Sequence, residues 1–189
     1  MKTISAKFIK CIVGPDDILT DGVPQVAFIG RSNVGKSSLI NTLTNTKKLA
    51  VTSSFPGRTQ QINVFFINES IYFMDLPGYG YARASGAGRQ KIQELINWYF
   101  FDSGVEPRYV VLIIDAEVGP TKDDLEMLLD LRKANKNILV VANKIDKIKK
   151  SIYKKHIESV ERKMNFKILP FSALKKIGVE SLFDILTLD

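Results

Sequence analysis

The sequence predicts a three-layer α/β fold built on a mostly parallel sheet with one antiparallel strand. Three observations carry this. Short apolar runs alternate with segments of helical periodicity almost throughout, the pattern of successive right-handed βαβ units. Two of the runs, Tyr109–Asp115 (YVVLIID) and Asn137–Ala142 (NILVVA), are continuous rather than alternating, as in strands covered on both faces. A further pair, Ile62–Ile67 and Ile71–Asp75, flanks Asn68-Glu69-Ser70 and reads as a β-hairpin, which would place the antiparallel strand at the sheet's edge.

The elements follow in order. Met1–Lys10 intersperses lysines with apolar residues and has no signal-peptide run or cleavage site, so residues 1–22 are expected to pack on the domain as an extension. Cys11, the only cysteine, excludes an internal disulfide, agrees with a reducing cytoplasm, and after Phe8 and Ile9 reads as a buried small hydrophobe. Val26–Ile29 is a short strand, then a glycine loop, then a helix from Gly35 to Thr44. After the hairpin and a glycine-rich loop, Gln90–Phe101 has helical spacing with Ile92, Leu95, Ile96 and Tyr99 on one face, and Trp98 and Phe100 read as packing residues. Thr121 can cap a helix over Lys122–Lys133, with Asp123 and Asp124 favourable in its first turn. Ser151–Lys163 is helical, Phe166–Phe171 a strand, and Gly178–Leu188 a final helix.

At 189 residues, 45% hydrophobic and 25% charged, the chain fits one globular domain. No run approaches the ~18 apolar residues of a membrane span, so a soluble protein is expected, cytoplasmic in keeping with its lone cysteine, and a monomer. The formal charge of +7 is concentrated: residues 144–176 carry eleven basic and three acidic side chains. Such a segment suits an anionic partner such as RNA, or is a solvated helix face.

Gly30-Arg31-Ser32-Asn33-Val34-Gly35-Lys36-Ser37 matches G-x-x-x-x-G-K-[ST] between a predicted strand and helix, the context the phosphate loop needs. Its glycines let successive N–H groups turn inward around a β-phosphate, and Ser38 continues into the positive helix N-terminus. Lys36 would bridge the β- and γ-phosphates, and the Ser37 hydroxyl would bind Mg²⁺. Asp75-Leu76-Pro77-Gly78 closes the hairpin's second strand. Asp75 can hold Mg²⁺, and the Gly78 N–H can reach a γ-phosphate. Between them residues 44–60 form a long polar loop, in which Thr59 of Pro56-Gly57-Arg58-Thr59-Gln60 is the candidate to close over Mg²⁺. Residues 44–60 and 76–89 are thus the two expected switch segments.

Asn143-Lys144-Ile145-Asp146 follows a buried strand and reads guanine. The Asp146 carboxylate would accept paired hydrogen bonds from guanine N1–H and its 2-amino group, which adenine cannot offer. Asn143 would secure the loop and meet N7, while the Lys144 stem packs on base or ribose. Ser172-Ala173-Leu174, one strand further on, adds the Ala173 N–H for guanine O6. The combination specifies a P-loop NTPase of the Ras-like G-domain kind, binding GTP or GDP with Mg²⁺. Alternatives are a phosphate-loop kinase or ATPase, an RNA-binding module with structural nucleotide, and a signalling GTPase.

Three longer strings, GRSNVGKSSLIN (Gly30–Asn41), PGRTQQIN (Pro56–Asn63) and DLPGYGYA (Asp75–Ala82), resemble the EngB family of bacterial ribosome-biogenesis GTPases, also linked to septum formation. The resemblance runs from about Phe8 to Ile185. It implies GTP hydrolysis with Mg²⁺, a role in large ribosomal subunit assembly with rRNA and ribosomal proteins as partners, and a contribution to cell division. That family commonly has Thr-Lys-x-Asp where this chain has Asn143-Lys144-Ile145-Asp146, and an Arg-His pair where it reads Ala116-Glu117.

Many GTPases place a water-orienting Gln after D-x-x-G. Here Tyr79 stands there, so intrinsic hydrolysis should be slow, and His156, the only histidine, lies in the lysine-rich helix as a surface or packing residue. Asn33 resembles the phosphate-loop asparagine of potassium-activated GTPases, where K⁺ supplies charge stabilisation; the alternative is a loop-shaping role. Arg58 and Arg83 are further candidates for charge stabilisation or RNA contact. The cluster Lys144–Lys155 and the later lysines would meet rRNA phosphate.

Overall fold

The computed structural model describes residues 5–50, 61–80 and 86–187. Seven strands form one sheet: β1 Ala6–Ile12, β2 Gln25–Gly30, β3 Ile62–Ile67, β4 Ile71–Asp75, β5 Tyr109–Asp115, β6 Ile138–Asn143 and β7 Ile168–Pro170, in the spatial order β1-β3-β4-β2-β5-β6-β7. β4, β2, β5, β6 and β7 pair in parallel, and β3 runs against both its neighbours. The helices are α1 Lys36–Leu43, α2 Gly86–Asn97, α3 Lys122–Lys133, α4 Tyr153–Met164 and α5 Val179–Thr187.

Strand alternation sorts the side chains into two cores. Val26, Phe28, Phe73, Val111, Ile113 and Val141 pack with Leu39, Ile40 and Leu43 of α1 and Leu182, Phe183 and Leu186 of α5. Ala27, Ile29, Met74, Leu112 and Ile114 point the other way, onto Ile92 and Ile96 of α2, Leu128 and Leu131 of α3, and Val160 and Met164 of α4. The three layers expected from the continuous apolar runs are therefore present. Within the first core Phe28 and Phe73 meet with ring centroids 4.8 Å apart and planes tilted by 59°.

Helix ends follow local chemistry. Thr121 and Asp124 form a reciprocal capping box at the start of α3, and Arg132 and Lys133 sit at its negative end. α2 runs on into a π-helical turn over Trp98–Asp102, which buries Tyr99 and Phe100. The buried Tyr99 hydroxyl bonds the Gln25 side chain at 3.1 Å, which satisfies a polar group deep in the second core.

Two expectations are corrected. The hairpin does not end the sheet, because β1 adds outside β3. Cys11 is exposed, not buried. The physical reason is the same for both: β1 is an edge strand that the helical layers do not cover, and Phe8 and Ile9 are also exposed. An irregularity between Phe8 and Lys10 shifts its register, and Cys11 then lies opposite Asn63, whose Oδ1 accepts from its thiol at 3.1 Å. Among the described residues, no helix is long and apolar enough to cross a membrane.

Truncating Phe28 removes a fully buried ring from the central strand. The variant Phe28→Ala is expected to lose about 3–5 kcal/mol of stability, read as a lowered midpoint in urea with an unchanged slope.

Candidate nucleotide-binding site

Because β2, β4, β5, β6 and β7 are parallel, their carboxyl ends share one edge of the sheet. From these ends come Gly30, Asp75, Asp115, Asn143 and, just past β7, Ser172. The motif residues, scattered through the sequence, meet there.

The phosphate loop runs from Gly30 to the first turn of α1. Asn33 adopts a left-handed conformation at φ 67°, and Gly35 caps α1 at φ 92°. Gly35 is required twice: its φ suits glycine, and a Cβ there would stand 2.5 Å from Asn143 Nδ2. With glycine at the cap, no side chain competes for the N–H groups of the first helical turn, at Lys36, Ser37 and Ser38. Buried Val34 pins the loop from below. The result is a ring of backbone donors at a positive helix end, which suits a phosphate.

On one side of this loop lies Asp75, buried at the end of β4. One of its oxygens pairs with the Lys36 ammonium, and the other accepts from Asn63 Nδ2 at 3.2 Å. Leu76 continues the line of β4, its N–H donating to Phe28 O at 3.1 Å, and carries Pro77 and Gly78 onto the phosphate loop. Asp75 and Ser37 offer hard oxygen donors, the type that Mg²⁺ prefers. Among the described residues there is no cluster of three or more His, Cys, Asp or Glu that would cage a metal alone. A cation here would take its remaining ligands from phosphate and water, as Mg²⁺ commonly does. The residues fit that ion. Pro56, Gly57, Arg58, Thr59 and Arg83 lie outside the described residues.

On the other side lie the loops after β6 and β7, in which the sequence places the guanine contacts. The Asn143 side chain is buried and spans two of them: Nδ2 donates to Val34 O at 2.9 Å, and Oδ1 accepts from Ala173 N–H at 3.2 Å. Lys144, at φ 69°, reaches back over the phosphate loop, with its ammonium 2.7 Å from both Asn33 O and Asp115 Oδ2. Ser172 donates its hydroxyl to Asp146 Oδ1 and accepts from Lys175 N–H at 3.0 Å, so the carboxylate is oriented from the neighbouring loop. Leu174 is 77% exposed and stands at the rim.

Several contributors escaped the sequence reading. Asp115 anchors Lys144 and also accepts from Glu117 N–H at 2.9 Å. Its signal was available: an Asp at the carboxyl end of a buried strand on the same edge. Asn63 stands opposite Asp75 in the hairpin register, which the spacing of the two runs could have revealed. Tyr79 has its hydroxyl 2.7 Å from Asp124, a contact with no local sequence signal. His156 bonds Ala116 O at 2.6 Å, as a helix-packing residue does.

Comparison with known proteins agrees with this geometry. The family described as "50S ribosome-binding GTPase" matches residues 25–144, and the elongation factor Tu GTP-binding domain matches residues 103–188. The probable GTP-binding protein EngB of Clostridioides difficile (strain 630) is 39% identical over 188 residues, covering 97% of this chain and 92% of that protein. A crystal structure of a probable GTP-binding protein EngB superposes with a TM-score of 0.70 at 26% identity, covering 84% of this chain and 94% of that one. The structure of Era in complex with MgGDPNP and nucleotides 1506-1542 of 16S ribosomal RNA also gives 0.70, at 30% identity over 87% of this chain and 55% of that one. Such relatives along nearly the whole chain, with a family model over residues 25–144, make this protein a GTPase of the EngB family.

Proposed function

We propose that this GTPase is a Mg²⁺-dependent molecular switch with slow intrinsic hydrolysis, acting in the cytoplasm in assembly of the large ribosomal subunit. Through that role it would be needed for normal division and septation. The chain would work as a single G domain and as a monomer, with residues 44–60 and 76–89 as its switches.

In this reading Lys36 leaves Asp75 for the β- and γ-phosphates and offsets their charge, while the amides of residues 31–38 hold the β-phosphate. Ser37, Asp75 and Thr59 hold Mg²⁺, whose chemistry when bound is to neutralise phosphate charge as a Lewis acid. The Gly78 N–H donates to a γ-oxygen, and Asp146, oriented by Ser172, takes the guanine edge. Water attacks the γ-phosphorus without any covalent protein intermediate, so catalysis consists of positioning and electrostatics. Tyr79 offers no amide to orient that water, and its hydroxyl is engaged by Asp124, which supports a slow intrinsic rate.

One observation supports a ribosomal partner above the others. Of the cations between residues 144 and 176, Lys144, Lys147 and Lys167 are engaged by carboxylates of the fold. Lys149, Lys150, Lys154 and Lys155 are exposed and form no ion pair among the described residues. They lie just beyond the guanine loop and at the start of α4, where an RNA backbone could read the nucleotide state. The family's description as 50S ribosome-binding and Era's complex with ribosomal RNA point the same way.

The test is co-sedimentation with large ribosomal subunits, comparing GTP-analogue, GDP and nucleotide-free protein across a salt series. Binding favoured by the GTP form is expected. Changing Lys149, Lys150, Lys154 and Lys155 to Gln should flatten the logarithmic salt dependence by up to about 3 while sparing GTP affinity. Binding indifferent to nucleotide, or absent at low salt, would contradict the reading.

We also propose that Asn33 helps hold K⁺ against the phosphates. It is exposed on the loop, and its positive φ is one that asparagine tolerates, so the side chain is available from a suitable backbone. Hydrolysis in KCl should exceed that in NaCl at equal ionic strength, and Asn33→Ala should abolish the difference. Equal rates in the two salts would remove the idea.

A further inference from the structure

Tyr79 occupies the position after D-x-x-G, yet its side chain is turned into the core and only 5% exposed. Its hydroxyl donates to Asp124 Oδ1 at 2.7 Å. Asp124, 1% exposed, has its other oxygen held by the Thr121 N–H at 2.8 Å and the Thr121 hydroxyl at 2.7 Å. The acceptor is therefore fixed from both ends. The main chain of Tyr79 faces the opposite way, onto the phosphate loop. Its N–H donates to Gly30 O at 3.3 Å, and its carbonyl accepts from Ser32 N–H at 3.0 Å. One residue thus joins the phosphate loop to the first turn of α3.

Gly78 lies immediately before this joint and is pressed against the same loop. A Cβ there would stand 3.1 Å from Gly30 O and 3.2 Å from Ser32 N. Where the Gly78 N–H lies relative to the phosphate loop therefore depends on how Tyr79 is held. The main-chain bonds tie Tyr79 to the phosphate loop, but they do not tie that loop to α3. The hydrogen bond to the Asp124 carboxylate, directional and shielded from water, makes that second connection. Burial and the nearby Asp124 charge push the phenol well above its ordinary pKa, so it remains a donor throughout the neutral range.

We infer that Tyr79 is a positioning residue for GTP hydrolysis. Its hydroxyl, held by Asp124, sets where the Gly78 N–H stands over the phosphate loop and so couples γ-phosphate recognition to the start of α3. This rests on the assignment of Gly78 to the γ-phosphate made above. It replaces the usual logic of the position: the residue that elsewhere touches the attacking water here acts through its neighbour.

The experiment uses three variants of the full chain, each titrated with GDP and with a non-hydrolysable GTP analogue and assayed for kcat and KM. Tyr79→Phe keeps the ring and deletes only the hydroxyl. It should bind GDP within about twofold of the parent, bind the analogue about five- to tenfold more weakly, and lose about tenfold in kcat. Leu131→Ala removes buried packing from the same helix without touching the Tyr79–Asp124–Thr121 bonds; it should lower the melting temperature and leave the analogue-to-GDP ratio unchanged. That contrast separates positioning from plain stability. Gly78→Ala tests the foundation: its Cβ presses on the phosphate loop, so some loss of GDP affinity is expected, and the selective outcome is an analogue loss at least about fivefold larger. Equal losses for both nucleotides in Tyr79→Phe, or an unchanged ratio and kcat, overturn the inference. If Gly78→Ala is nonetheless selective, the γ-phosphate assignment stands alone; if Gly78→Ala is not selective, both fall.

Discussion

The carboxamide of Asn143 donates to the Val34 carbonyl and accepts from the Ala173 N–H, and these two bonds tie the phosphate loop to the loop after β7 through the end of β6. Only one orientation of the amide satisfies both partners, so the junction cannot flip without stranding a buried donor and a buried acceptor. The Gly35 backbone approaches the same amide so closely that no side chain fits between them. Three loops from three strands are thereby held in register before any ligand contributes. A site organised in this way spends little of its binding energy on ordering itself.

Charge is arranged around that junction in two pairs. Lys36 rests on Asp75, and Lys144 rests on Asp115. Buried ion pairs are close to break-even in free energy, because the attraction is set against the desolvation of both partners. In the function proposed above, Lys36 would exchange Asp75 for the nucleotide phosphates, and a cation held at Asp75 would then offset the carboxylate that a lone transfer would leave buried and unpaired. Lys144 plays a different part: it also bonds the Asn33 carbonyl, so it braces the phosphate loop from the base side. Lys36, Asn143, Lys144 and Ser172 thus each hold a part of another motif in place.

How much of this could be read beforehand depends on how local each signal is. Gly30–Ser37 was legible because wrapping a phosphate dictates glycine positions and a following helix within eight residues. The parallel core was legible because strands covered on both faces need continuous apolar runs such as Tyr109–Asp115. β1 was not, since Lys7 and Lys10 interrupt its pattern and it pairs with β3, fifty or more residues away. Cys11 was misread for the same reason: an apolar neighbourhood in sequence became an uncovered edge in space. The Tyr79–Asp124 contact spans 45 residues and joins a loop to a helix cap. Each of its partners has an adequate local explanation alone, so nothing in the chain announces the bond. Asn143 was anticipated as a loop-securing residue, but not that a single amide would serve two loops.

The claim that one buried amide organises the whole site is tested most directly by titrating Asn143→Ala and the parent with GDP and ADP, alongside thermal melts. The parent is expected to bind GDP and not ADP. The variant is expected to stay folded yet lose about 10²-fold or more in GDP affinity, because phosphate and base contacts are released together. Unchanged GDP affinity in a folded variant would show that the loops hold their places without Asn143, and would contradict the account.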